Sequence, residues 1–146
     1  MSDILTPDQI VVPGTATTKA EAIREAGAVL VRAGAVTDAY VDAMFEREKS
    51  VSTYMGNYLA IPHGTNEAKD EISASALSVV KYDRPVDWDG NEVRFAVGIA
   101  GHEGGHLEIL GKIAIIFSDS DEVDKLLAAT SSQELYDLLQ AVNEDD

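Results

Sequence analysis

No cysteine occurs in the 146 residues, which excludes a disulfide framework, a thiolate zinc site and a cysteine nucleophile. Basic residues are scarce: Lys and Arg number 11 against 26 Asp and Glu, for a formal net charge of -15. A surface that acidic repels phosphate backbones and anionic lipid, so neither nucleic acid nor a membrane surface is an expected partner. A protein with a basic docking face is. Long apolar runs are missing as well, the longest reaching about five residues where a membrane-spanning helix needs ~20. The opening MSDILTPDQI has no basic segment followed by an apolar run, so no signal peptide is read there, and a cytoplasmic protein is expected. What remains is an ordinary globular balance, 45% hydrophobic and 25% charged. Neither a repeat nor a linker-like stretch divides the chain, so residues 1–146 read as one domain, with an acidic tail from Asn143 to Asp146 expected to fray.

The apolar pattern alternates between two periods. A short stretch, Ile10-Val11-Val12, ends at Pro13-Gly14. Thr18-Lys19-Ala20-Glu21 has capping-box spacing, in which Thr18 and Glu21 satisfy each other's free backbone N–H groups. Ala22, Ile23, Ala26, Val29, Leu30 and Ala33 then share one helical face, and Gly34 is the expected stop. Thr37 and Asp38 open a second helix that runs out near Lys49, with Arg47 and Lys49 where a helix macrodipole favours cations. Strands are expected at Leu59–Ile61, Ala74–Tyr82 and Val93–Ala100, with Asp87–Gly90 as a turn. Gly101–Gly105 reads as a loop, followed by helices over His106–Phe117 and Asp121–Ala129. A closing helix enters through the capping-box spacing Ser131-Ser132-Gln133-Glu134 and carries Leu135, Leu138 and Leu139. Helices interleaved with strands point to an α/β sandwich. The strand order is not legible.

Two motifs carry candidate chemistry. His102-Glu103-Gly104-Gly105-His106 matches H-E-x-x-H, which in a metalloprotease sets two histidines on one helical face with the glutamate as general base. Two glycines fill its middle, each costing ~1 kcal/mol inside a helix, so the segment reads as a loop and no metal site is expected. The other motif is Ile61-Pro62-His63-Gly64-Thr65. Proline fixes the backbone entering it, and glycine clears space beside the histidine for an approaching group. The chain has only 3 histidines, and all fall at strand ends or in the loops after them, where ligand sites of α/β sheets gather. Phosphate-binding P-loop, nucleophile-elbow and dinucleotide glycine patterns are all lacking. Glu67, Asp70 and Glu71, after His63, read as a solvated face.

The run Arg47-Glu48-Lys49, then Tyr54-Met55-Gly56, then Leu59-Ala60-Ile61-Pro62-His63-Gly64-Thr65 and Glu67-Ala68-Lys69-Asp70, resembles the enzyme IIA domain of the sugar phosphotransferase system. It is similar to the mannitol–fructose branch of that family, and most to its mannitol-specific form. The I-P-H-G-T element with E-A-K after it is the specific part. Lys19–Ile23, Ile99-Ala100 and Leu135–Leu139 extend the likeness over nearly the whole chain.

The resemblance implies a single-domain α/β sandwich with a mixed β-sheet flanked by helices. It also implies a phosphoryl carrier. His63 matches the family's phosphorylated histidine, His106 its second active-site histidine and Arg47 its active-site arginine. Phosphate would come from the phosphocarrier HPr and pass to a cysteine of the IIB component of a membrane permease. Because this chain lacks cysteine, IIB belongs to a separate chain or domain, and association with the membrane would be peripheral. No cofactor and no metal is implied. Asn57 stands where the family carries a glutamate, keeping an acceptor near the site without the charge; His102 has no assigned role. Three other readings compete: a regulatory, nitrogen-type IIA relative, a metal-dependent hydrolase using His102, Glu103 and His106, and an acidic interaction module without chemistry.

Overall fold

The computed structural model describes residues 4–102 and 106–143, and of Asn66, Glu67, Lys69, His106 and Leu107 the backbone alone. Strands β1 (Ile10–Val11), β2 (Tyr54–Gly56), β3 (Leu59–Ala60), β4 (Ala76–Trp88) and β5 (Asn91–Ala100) form one sheet in the order β1-β4-β5-β3-β2. The sheet is mixed: β1 runs parallel to β4 and β3 parallel to β5, while the β4–β5 and β2–β3 pairs are antiparallel.

Period-two alternation on β5 sorts the core into two layers. Phe95, Val97 and Ile99 point into a cluster completed by α3 (His106–Ser118), α4 (Ser120–Ala128) and α5 (Ser132–Leu139). Ala96 and Ala100 face α1 (Lys19–Arg32) and α2 (Asp38–Ser50) on the other side. The small residues let α1 lie close: a Cβ at Gly98 would stand 2.4 Å from Ser78 Oγ and 3.3 Å from the Ala26 Cβ. This is the expected α/β sandwich.

The helix caps largely follow the reading. Thr18 accepts the Glu21 N–H, and Ser131 accepts that of Glu134. Glu21 reaches back one residue further than expected, its carboxylate taking the N–H and hydroxyl of Thr17. Gly34 (φ 77°) ends α1 in the left-handed region. Thr37 precedes α2 but caps nothing with its side chain, which donates instead to Glu71.

The strands differ from expectation in two places. Strand β4 continues past Tyr82 to Trp88, so the hairpin turn narrows to Asp89-Gly90, both at positive φ, with Trp88 paired to Asn91. The continuation was masked by Arg84-Pro85; proline cannot donate to a ladder, and the register indeed shifts between Lys81 and Val86. Strand β2 was missed because Tyr54-Met55-Gly56 lies at the sheet edge with its middle residue, Met55, exposed. Asn143, the first residue of the acidic tail, is tied to the start of the fold. Its side chain accepts the N–H groups of Ile4 and Leu5 and donates to the Leu5 carbonyl, tying the two ends of the fold together; residues 144–146 lie outside the described residues.

Candidate active site

His63 follows β3 and lies beside the carboxyl end of β5, bridged in parallel to Ile99. The Ile99 N–H donates to the Pro62 carbonyl at 3.1 Å, and the Ile61 N–H to the Thr53 carbonyl at 3.0 Å. The imidazole is half-buried, with Nδ1 2.8 Å from the Ile61 carbonyl. A carbonyl only accepts, so Nδ1 bears the proton, and the neutral ring then carries its lone pair on Nε2.

Tyr40, which the sequence reading passed over, fixes the next residue. Its hydroxyl donates to the Ile99 carbonyl at 2.7 Å and accepts the Gly64 N–H at 2.9 Å. Burial pushes this phenol above its ordinary value, against the lowering effect of the Gly64 bond. Gly64 is required for space: a Cβ there would sit 2.5 Å from the Tyr40 ring.

Arg47 and Glu48 leave the last turns of α2 in different directions. Arg47 donates from Nη1 to the Val51 carbonyl at 2.8 Å, as a cation at a helix C-terminus should. Glu48 turns inward and is 7% exposed. Its carboxylate accepts the N–H and hydroxyl of Thr53 and the indole N–H of Trp88, and pairs with Lys19 at 3.2 Å. Lys19 also holds Asp89. Burial disfavours its ammonium, yet the bonds to Asp89 and Glu48 keep its pKa above the ordinary 10.5. Glu48 was legible in principle, because Tyr40, Met44 and Glu48 recur every fourth residue on the buried face of α2.

Asn57 occupies the β2–β3 turn at φ 50°, a left-handed conformation that asparagine tolerates better than glutamate does. Its amide donates to the Phe117 carbonyl near the end of α3, at 2.7 Å. That contact makes it a tie between the hairpin and α3. His102 anchors through its backbone to Ser75. Helix α3 begins at His106, and His102 precedes it. Residues 103–105 and the His106 side chain lie outside the described residues. Among the described residues no cluster of three or more His, Asp or Glu side chains could hold a metal ion, and no helix is long and apolar enough to cross a membrane.

The arrangement is a histidine of set tautomer at the mouth of a sheet, on a backbone pinned from both sides. Similar proteins carry the same architecture. The mannitol-specific phosphotransferase enzyme IIA component of Halalkalibacterium halodurans is 54% identical over 141 residues, covering 97% of each chain. The protein of the same name from Staphylococcus aureus is 47% identical over 140 residues, covering 96% of this chain and 97% of its own. The crystal structure of IIA mannitol from Escherichia coli superposes with a TM-score of 0.86 at 35% identity, over 92% of this chain and 98% of that one. The complex of enzyme IIA and phosphorylated enzyme IIB for mannitol, also from Escherichia coli, gives 0.88 at 34% identity, over 94% and 97%. Residues 3–142 match the model of one family, and the chain belongs to it: the EIIA 2 family of the phosphoenolpyruvate-dependent sugar phosphotransferase system, whose members are phosphoryl carriers.

Proposed function

We propose that this chain carries a phosphoryl group on Nε2 of His63, taken from phosphorylated HPr and passed to a cysteine of a mannitol-specific IIB component on a separate chain or domain. The observation that carries the reading is the Nδ1–H bond to the Ile61 carbonyl, which leaves the nucleophilic lone pair on Nε2. The lone pair attacks phosphorus as the bond between phosphorus and the donor's nitrogen breaks, and the donor keeps that electron pair. In the second step a IIB thiolate attacks phosphorus, and the phosphorus–Nε2 electrons return to the ring. Throughout, the Ile61 carbonyl stabilises the positive charge that develops on a phosphorylated imidazole.

Catalysis of this kind is mostly positioning and stabilisation of charge on the equatorial oxygens. Arg47 offers a guanidinium fork, one of whose nitrogens now rests on Val51. His106 opens α3 a few residues after the carboxyl end of β5, beside which His63 lies, and in this reading its imidazole and the positive end of that helix serve the transferring group. Asn57 contributes from the β2–β3 turn as an orienting acceptor, its amide nitrogen being engaged by Phe117. Membrane docking is peripheral, through the permease.

The test is mannitol phosphorylation by permease membranes that lack their IIA component, supplied with phosphoenolpyruvate, enzyme I and HPr. Added wild-type protein should restore turnover, and His63→Gln should not. Restoration by His63→Gln, or by the wild type with a permease for an unrelated sugar but not with that for mannitol, contradicts the assignment.

A further inference from the structure

Two adjacent residues of α2 clasp the segment that leaves it. Arg47 holds the Val51 carbonyl, and Glu48 holds both the N–H and the hydroxyl of Thr53. The Thr53 carbonyl in turn accepts the Ile61 N–H at 3.0 Å. The Ile61 carbonyl then accepts Nδ1–H of His63 at 2.8 Å. An unbroken series of hydrogen bonds thus runs from the Glu48 carboxylate to the His63 ring, and it starts one residue from Arg47.

We propose that Glu48 is a positioning residue for phosphoryl transfer, setting the His63 ring through Thr53 and Ile61 and keeping it in register with Arg47. This inference rests on the carrier reading above. A carboxylate suits the task better than an amide. Its two oxygens accept three donors, from Thr53 twice and from Trp88, and still pair with Lys19, whereas an amide offers one acceptor oxygen and would turn an N–H₂ toward one of these donors. The group is buried at 7% exposure, so water cannot replace a lost partner and the segment must shift instead. Small misplacements of this kind are costly, since about 1 Å at a reacting centre can lower a rate ~100-fold.

Glu48 differs from an ordinary buried ion pair in that its carboxylate has two sets of partners. Lys19 joins it to α1 and, through Asp89, to the β4–β5 hairpin, which Trp88 reaches directly; Thr53 joins it to the site. Three variants, Glu48→Gln, Thr53→Val and Lys19→Gln, would be compared for single-turnover transfer from phosphorylated HPr, for thermal midpoint and for the ¹⁵N shifts of the His63 ring. Glu48→Gln and Thr53→Val should slow transfer about ten- to a hundred-fold at saturating donor, with the donor KM unchanged, and should move the ring shifts toward a mixture of tautomers. Lys19→Gln should lower the midpoint and leave both rate and ring shifts as in the wild type. An unchanged rate in Glu48→Gln and Thr53→Val overturns the proposal, as does a rate that falls in step with the midpoint across all three variants. Were the wild type itself not phosphorylated, the carrier reading would fail, while the ring shifts would still report whether Glu48 holds His63.

Discussion

The Tyr40 hydroxyl and the Gly64 backbone N–H meet at 2.9 Å, one residue after His63, the proposed phosphoryl carrier. The same hydroxyl donates to the Ile99 carbonyl at 2.7 Å. One phenol therefore joins α2, the end of β5 and the P-H-G-T segment. Tyr40→Phe keeps the ring and deletes both bonds, removing this partner from the half-buried Gly64 N–H and the buried Ile99 carbonyl. The expected cost is ~1–3 kcal/mol by urea unfolding, together with slower phosphorylation of His63 at temperatures where the variant is fully folded. A stability equal to that of the wild type would contradict the geometry.

Gly64→Ala tests the same junction from the other side. The new Cβ would lie 2.5 Å from the Tyr40 ring, where real side chains do not sit. Either the tyrosine or the His63 segment must move, at an expected ~1–3 kcal/mol. Pairing the change with Tyr40→Leu should restore part of the stability but little of the transfer rate, because space returns and the hydroxyl does not.

Alkaline pH should expose this tyrosine. Burial raises Tyr40 above the ordinary 10, and burial next to Glu25 raises Tyr82 further. A phenol whose folded pKa exceeds its unfolded one ionises more readily in the unfolded chain. Its contribution to stability is therefore complete below pH 10 and lost as the pH climbs through the folded value. Stability should decline above pH 10, and the decline should be shallower in Tyr40→Phe. A parallel decline in the two proteins would show that Tyr40 titrates normally.

Arg47 distinguishes a planar fork from a point charge. Arg47→Lys retains the cation and the favourable helix terminus but loses bidentate recognition of phosphoryl oxygens. Transfer to His63 should fall about 10- to 1000-fold, the scale of losing one oxyanion donor, with a change in thermal midpoint much smaller than that of Tyr40→Phe. A lysine variant as fast as the wild type would reduce Arg47 to a cap for α2.

How much of this was legible before folding follows from which interactions are local. Thr18, Ser131 and Gly34 announce helix ends through bonds within a few residues, and the alternation on β5 announces its two faces. The I-P-H-G-T element singles out His63 as the candidate carrier through the resemblance to the enzyme IIA family. The tautomer of His63 was not legible, because it depends on the Ile61 carbonyl being held in place by Thr53. Tyr40, Glu48 and Asn57 do their work across 24, 5 and 60 residues of sequence respectively; Glu48 left a trace as an acidic residue on an otherwise apolar helical stripe, and Asn57 was marked by the resemblance alone, which did not show its bond to Phe117. The H-E-x-x-H match shows the converse. Its spacing matches a metal motif while its two glycines already read as a loop, and α3 begins only at its last residue, His106.

The proposed chemistry rests on one residue, His63. The direct measurement is intact mass of the protein after incubation with phosphoenolpyruvate, enzyme I and HPr, beside His63→Ala treated identically. A single phosphoryl group, labile to acid, present on the wild type and absent from the variant, is the expected result. Equal labelling of the two proteins, or no labelling of the wild type by an HPr that phosphorylates another IIA protein, would contradict the assignment of His63 as the carrier.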